Sequence, residues 1–225
     1  MLSDGNLGNT VGLALLYFVP FLFALCFHEY AHGWMARRKG DRTAELMGRL
    51  TLNPVAHADL IGTVVLPLMA LLFKFPFFGW AKPVPVNERN LKHPKQDMFW
   101  IALAGPLSNI LLAFVATFLY VLWAHFRPLQ VSGNGVDEFL KVFITINLFL
   151  AVFNLIPLHP LDGGKVLARF LPDRLNSTLE DNQQMTMFIL MGLMFTGILR
   201  YLAEPVYMLA NMMFMVATQV IGFIA

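Results

Sequence analysis

The chain has 225 residues, of which 57% are hydrophobic and 13% charged, and its mean hydropathy is +0.62. Soluble domains carry about 25% charged residues, so this composition excludes an ordinary soluble protein of this length. The net charge of +2 gives no basis for nucleic-acid binding, and the single cysteine, Cys26, excludes an intrachain disulfide. We therefore expect residues 1–225 to form a single membrane domain surrounded by lipid.

Six apolar runs follow one another along the chain, and a membrane-spanning helix needs about 20 residues. The runs cover residues 11–35, 60–80, 98–125, 139–158, 185–201 and 206–225. They predict an all-α polytopic membrane protein with about five to six transmembrane helices.

The connections between these runs predict the orientation, because lysine and arginine favour the cytoplasmic side. Residues 37–59, 81–97 and 163–184 carry five, four and three of them, whereas residues 126–138 carry one. The two most basic connections flank the second run, and a simple crossing would place them on opposite sides. We therefore predict a re-entrant segment near 60–86, which dips into the membrane and returns. An ordinary tilted span that violates the charge rule is the alternative.

The sequence His-Glu-Tyr-Ala-His at 28–32 lies near the basic end of the first run. On a helix, His28 and His32 are one turn apart on the same face and can bind one metal ion. Glu29 can then act as general base toward an attacking water. Ionisable residues in a membrane span are costly unless a partner compensates them, and a metal ion is such a partner. The alternative is a pair of hydrogen-bonded packing histidines close to the headgroups.

A catalytic zinc usually has three protein ligands, so a third is expected elsewhere. Asp162 is the carboxylate that follows the fourth run, on the same predicted side as His28, and is the favoured candidate. A carboxylate that forms a turn or caps a helix is the alternative for Asp162. His159 is a rival ligand, for which we favour a structural or supporting role.

Three sequence motifs together resemble the site-2 proteases, a family of intramembrane zinc metalloproteases, and in particular the compact bacterial and archaeal members without a PDZ domain. They are His-Glu-Tyr-Ala-His-Gly at 28–33, Ala-Gly-Pro-Leu-Ser-Asn at 104–109, and the stretch from Asn154 to Asp162-Gly163. The segments at 48–54 and 79–87 resemble one subgroup. The resemblance covers most of the chain.

The resemblance implies a zinc metalloendopeptidase that cuts membrane proteins within or near their transmembrane segments, in regulated intramembrane proteolysis. It implies one Zn²⁺ per chain, held by His28, His32 and Asp162, with Glu29 as the base. It further implies that Asn154 binds substrate or the developing oxyanion. The expected location is a prokaryotic inner membrane, with the active site toward the cytoplasm.

Two other functions are compatible with the same residues. Intramembrane histidines and carboxylates also mark ion pathways, so a membrane metal transporter or sensor is one alternative. A protease-like binding protein without activity is the other, although such a protein is expected to lack Glu29 or a ligand. The identity of the substrate and the oligomeric state do not follow from the sequence.

Overall fold

The computed structural model of the chain describes residues 7–73, 79–126 and 135–224. Within these ranges the chain is helical or irregular, and no strand occurs. Residues 74–78 of the predicted re-entrant segment lie outside the described residues, as does most of the connection 126–138.

The helices of the described ranges fall into a few long elements and several short ones. In chain order they are α1 (Leu7–Lys39), α2 (Thr43–Leu46), α3 (Pro54–His57), a π-helix (Leu60–Val65), α4 (Leu66–Phe73), a 3-10 helix (Glu88–Asn90), α5 (Pro94–Phe126), α6 (Gly135–Asn154), α7 (Asp162–Ala168), α8 (Asp173–Asp181), α9 (Gln183–Thr196), a second 3-10 helix (Ile198–Leu202) and α10 (Ala203–Ile224).

Three helices of the described chain are long and apolar enough to cross a membrane, at Gly12–Lys39, Pro94–Phe126 and Arg200–Phe223. The predicted all-α class is confirmed, whereas the count of five to six spans is not. The fourth apolar run forms α6, whose 20 residues include Asp137, Glu138 and Lys141. The fifth forms α9, which has 14 residues. In the described residues of the second run, the helices are the π-helix Leu60–Val65 and α4 (Leu66–Phe73).

Helices α1, α5 and α6 pack against one another and form the centre of the molecule. Small residues lie at their contacts: Ala24, Ala113 and Ala151 are fully buried. Small side chains let helix backbones approach closely, which favours packing where both helices are apolar. Helix α10 packs on the far side of α5 and α6, where Val206 and Met213 join the buried cluster.

The chain returns to its own earlier residues after α4. The Trp80 N–H donates to the Gly62 carbonyl at 3.1 Å, and the Lys82 N–H donates to the His57 carbonyl at 2.8 Å. Residues 80–82 therefore lie beside residues 57–62. The side chain of Asp59 accepts from the N–H of Gly62 at 2.8 Å and caps the π-helix at this point.

The link between α6 and α7 carries the last predicted site residue. Helix α6 ends at Asn154, short of the predicted 158, because Pro157 cannot supply the N–H that a further turn needs. The loop folds back on α7, where a Cβ on Gly164 would lie 2.7 Å from the backbone nitrogen of His159. This close approach requires a glycine at position 164, and the loop places Asp162 at the start of α7.

Gly62→Ala is expected to destabilise the protein, because an added Cβ would lie 2.5 Å from ring atoms of Trp80. Overpacking costs about 1–3 kcal/mol, which corresponds to a fall of about 2–12 °C in the midpoint of thermal unfolding in detergent. Gly192→Ala is the matched control, since that helical glycine has open space around it. Equal midpoints for the two variants would contradict the contact.

Candidate metal centre

His28 and His32 lie on the buried face of α1 and contact each other. Their Nε2 atoms are 3.0 Å apart, and their rings meet edge to face with centroids 4.6 Å apart. This arrangement follows from the four-residue spacing, which places both side chains on one face one turn apart. The two rings are 4% and 9% exposed, so the predicted pair faces the protein interior.

Asp162 joins the two histidines from the start of α7. Its Oδ2 atom lies 3.0 Å from His28 Nε2 and 3.2 Å from His32 Nε2, although the residues are about 130 positions apart in sequence. Among the described residues these three form a group whose ligand atoms all lie within 4.8 Å of one another. We call them the metal group.

The donor atoms of the metal group fit a zinc ion. Two imidazole nitrogens and one carboxylate oxygen are common zinc ligands, and a tetrahedral site with bonds of 2.0–2.2 Å has ligands about 3.3–3.5 Å apart. The observed separations of 3.0–3.2 Å are close to this value. Asp162 Oδ2 is buried and accepts no hydrogen bond in the described structure, as expected for an atom that faces a cation.

The other nitrogen of each ring fixes the tautomer. His28 Nδ1 lies 2.7 Å from Asn109 Oδ1, and His32 Nδ1 lies 2.7 Å from the Ile101 carbonyl. Both oxygens only accept, so each Nδ1 carries the proton and donates it. Each Nε2 then presents a lone pair to the centre of the metal group. Such partners orient metal-binding histidines and raise their basicity.

Asn109 belongs to a buried chain of amides that the sequence interpretation missed. Its Nδ2 donates to the Ala24 carbonyl at 3.1 Å and to Asn147 Oδ1 at 2.9 Å. Asn147 Nδ2 in turn donates to the Phe143 carbonyl at 2.8 Å. Because both amide hydrogens of Asn109 are used, its oxygen must face His28. Polar side chains inside the apolar runs 98–125 and 139–158 were the available signal.

Gly105 leaves the space that the two imidazole rings occupy. It lies on α5, and a Cβ there would approach His28 Cε1 to 2.6 Å and contact the His32 ring as well. The Ala-Gly-Pro sequence at 104–106 therefore has a steric role at the metal group. The resemblance of residues 104–109 to the family motif is visible in the sequence, but the contact of Gly105 with the two histidine rings is visible only in the structure.

Glu29 lies beside the metal group. Its Oε2 accepts the N–H of Val84 at 2.7 Å, so the residue predicted as the base is held by the segment 79–87. Glu29 is 9% exposed. Its neighbours His28 and His32 are in the metal group, whereas Glu29 is not.

Two cavities meet at the metal group. The larger, of about 500 Å³, lies between α1, residues 79–83, α6 and α9, and apolar side chains form most of its wall. The smaller, of about 140 Å³, is bordered by the whole metal group and by Lys165. His28, Glu29, Pro83, Asn154 and Pro160 border both cavities.

The two remaining candidate residues, Asn154 and His159, differ in their position relative to the cavities and the metal group. Asn154, the last residue of α6, borders both cavities and donates one amide hydrogen to the Leu150 carbonyl at 2.9 Å. His159 is buried, lies outside the metal group, and has no hydrogen-bond partner for its Nε2 in the described structure.

Asn109→Ala is expected to weaken zinc binding by about 10–100-fold, because His28 loses the acceptor that fixes its tautomer. The measurement is zinc affinity of purified protein, by competition with a chromogenic chelator. Thr117→Ala is the control: Thr117 is also buried on α5, but its hydroxyl bonds within the helix, to the Ala113 carbonyl. Unchanged affinity for the Asn109 variant would show that the amide does not support the site.

The chain is similar in sequence to known zinc metalloproteases. The model of "Peptidase family M50" matches residues 16–130 and 123–198. The chain is 34% identical over 189 residues to "Putative zinc metalloprotease YwhC" of Bacillus subtilis, covering 83% of each protein. It is 46% identical over 162 residues to "Putative zinc metalloprotease MJ0611" of Methanocaldococcus jannaschii, covering 68% of this chain and 72% of that one.

A third relative, "Zinc metalloprotease MJ0392" of the same archaeon, is 24% identical over 73% of this chain and 37% of its own length. No solved structure was found to match. The family match spans most of the chain and includes α1, α5, α6 and α7. The chain therefore belongs to peptidase family M50, the site-2 proteases, and is an integral membrane zinc metallopeptidase.

Proposed function

We propose that this protein hydrolyses peptide bonds within or near the transmembrane segments of membrane-protein substrates, in regulated intramembrane proteolysis. The observation that carries the proposal is the position of the metal group between two unlike cavities. The larger, apolar cavity suits a hydrophobic substrate segment. The smaller cavity has a more polar wall and suits the water that hydrolysis consumes.

The depth of the metal group supports cleavage inside the bilayer. His32 and His28 lie 7 and 11 residues before Lys39, where α1 ends, or about 10 and 16 Å at 1.5 Å per residue. The hydrocarbon core is about 30 Å thick. Since α1 ends in Arg37, Arg38 and Lys39, the charge rule supports a cytoplasmic location for this end. The proposed location is a prokaryotic inner membrane.

The proposed chemistry divides between the metal group and Glu29. His28, His32 and Asp162 would hold one zinc ion per chain, which when bound polarises the scissile carbonyl and lowers the pKa of the attacking water. The Val84 N–H fixes Glu29 Oε2, which leaves Oε1 to take a proton from the water. Glu29 then returns that proton to the leaving amine.

Asn154 is proposed to donate to the oxygen on which charge develops. Its amide has two hydrogens, and one of them bonds the Leu150 carbonyl. The other is free to reach an oxyanion at the junction of the two cavities. A donor fixed on the end of a helix needs little reorganisation during the reaction, which is the condition for effective electrostatic stabilisation.

The substrate is proposed to bind in extended form beside residues 79–83, of which all but Lys82 line the large cavity. An α-helix hides its carbonyls in internal hydrogen bonds, so the scissile region must unwind before attack. Pairing with an extended segment then satisfies part of the exposed backbone.

The finer topology is also a proposal. We infer that residues 1–225 form one domain of five to six spans, in which the segment near 60–86 re-enters the membrane. The backbone bond between Trp80 and Gly62 supports this inference, because it brings both ends of the segment together. A segment that crossed the bilayer once would have its ends about 30 Å apart.

Glu29→Gln is expected to keep zinc and to lose cleavage, because the amide cannot take a proton from water. Membranes from cells that produce the wild-type or the variant protein are compared by mass spectrometry for fragments that end within transmembrane segments. General-base catalysis contributes about 10²–10⁴-fold, so such fragments should fall below detection in the variant. Normal cleavage by the variant would exclude the assigned mechanism.

Zinc content separates this activity from the two alternative functions. One ion per chain that is retained in Glu29→Gln but lost in both His28→Ala and Asp162→Ala is expected for the protease. A metal transporter would need further ligand groups along a path, whereas the described residues contain one such group.

A reporter inserted at Glu88 tests the re-entrant segment, since Glu88 is exposed and follows it directly. A cytoplasmic signal there, on the same side as a reporter at Met47, is expected because a segment that returns leaves both flanks on one side. Opposite signals at the two positions would establish a crossing and remove the re-entrant interpretation.

A further inference from the structure

We propose that Pro83 sets the register of the bound substrate, because it places a backbone position without an N–H beside the metal group. The substrate carbonyl opposite Pro83 then stays unpaired and available for attack. This inference rests on the proposed binding of an extended substrate beside residues 79–83.

The peptide groups of this segment alternate in direction. The N–H groups of Trp80, Lys82 and Val84 all donate into the protein, to Gly62, His57 and Glu29 respectively. A period of two is the property of an extended chain. Lys82 and Val84 also each precede a proline, which disfavours the helical region for them and favours extended backbone.

The opposite edge of the segment has few donors. Residues 81, 83 and 85 alternate with the bonded ones, and Pro83 and Pro85 have no N–H. Ala81 is the single residue of the three with an N–H, and no partner for that group occurs in the described structure. A substrate strand on this edge can bond both the N–H and the C=O of Ala81. At Pro83 it can bond only the C=O.

Pro83 is the member of this edge that reaches the reaction site. It borders both cavities together with His28 and Glu29, whereas Ala81 borders only the large cavity and Pro85 borders neither. The Pro83 carbonyl lies 3.4 Å from Arg49 Nη2, which also bonds the Lys82 carbonyl at 2.7 Å. A carbonyl oxygen has two lone pairs, so Pro83 can still accept a substrate N–H.

The missing donor determines which substrate carbonyl is free. Between ordinary residues, paired strands satisfy both N–H and C=O groups along the ladder. Opposite Pro83 one of these bonds cannot form in either strand orientation, so one substrate carbonyl lacks a partner. In the large cavity, whose wall is mostly apolar, an unpaired carbonyl is unfavourable. The nearby metal group and Asn154 can interact with this carbonyl. The scissile bond is therefore the substrate peptide bond whose carbonyl lies opposite Pro83.

The matched variants are Pro83→Ala and Pro85→Ala, which make the same exchange in the same segment, at a position that borders the metal group and at one that does not. The zinc-loaded full-length proteins act on a set of synthetic single-span peptides in detergent, each with a glycine pair at a different depth. Rates and cleaved bonds are measured by mass spectrometry.

In Pro83→Ala the new N–H binds the substrate carbonyl in the ground state. We expect kcat to fall about tenfold and KM to fall as well, since one added hydrogen bond stabilises the ground state. The cleaved bonds should also spread along the peptide. Pro85→Ala should match the wild type. A merely structural defect would not lower KM.

A second measurement uses only the wild-type protein. Successive amides of a cleaved peptide are methylated at nitrogen, one at a time, and cleavage is expected to be lost at alternate positions that begin within two residues of the cut. No such sensitivity, or a Pro83→Ala variant that cuts the same bonds at the wild-type rate, would overturn the inference while leaving the proteolytic function intact. If the wild-type protein cuts none of the peptides, the proposed function fails, and the inference with it.

Discussion

The hydrogen bond between His28 Nδ1 and Asn109 Oδ1 connects the two longest helices of the molecule inside an apolar environment. At this depth a polar group without a partner is costly, so each member of the network must be satisfied by another. Asn109 is satisfied by Ala24 and Asn147, and the Asn147 amide by its own helix. The packing of α1, α5 and α6 and the orientation of the metal group therefore depend on the same contacts.

Much of the metal group could be predicted from the sequence, because its members are rare residue types in apolar surroundings. His28 and His32 belong to one helical turn, so local geometry alone brings them together. Asp162 required an inference about membrane sides, and the structure places it 3.0 Å from His28. Asn109, Gly105 and Val84 could not be assigned in this way. Their roles depend on which helix faces which, and on contacts across 55 or more residues of sequence.

The membrane topology was less predictable than the metal group. Composition gives the length of an apolar run, but the ends of each helix depend on local features such as prolines and charged residues. The Pro157 loop cuts α6 at Asn154, and the charges near the start of that helix reduce its apolar length. In the described residues of the second run, 60–73 and 79–80, a π-helix and a short α-helix follow one another, and the chain then lies beside Gly62 at Trp80. Such a division depends on tertiary partners, here Gly62 and Trp80, rather than on hydropathy.

The extended segment 79–87 connects the large cavity to Glu29. The N–H of Val84 in this segment holds Glu29, and Arg49 Nη2 lies near the carbonyls of Lys82 and Pro83. A bound peptide that displaced this segment would also move the Glu29 carboxylate, because Val84 of the segment donates its N–H to Glu29 Oε2. The hydrogen bond that positions the Glu29 carboxylate and the backbone that borders the large cavity therefore belong to one segment, so the position of Glu29 and the shape of this cavity change together.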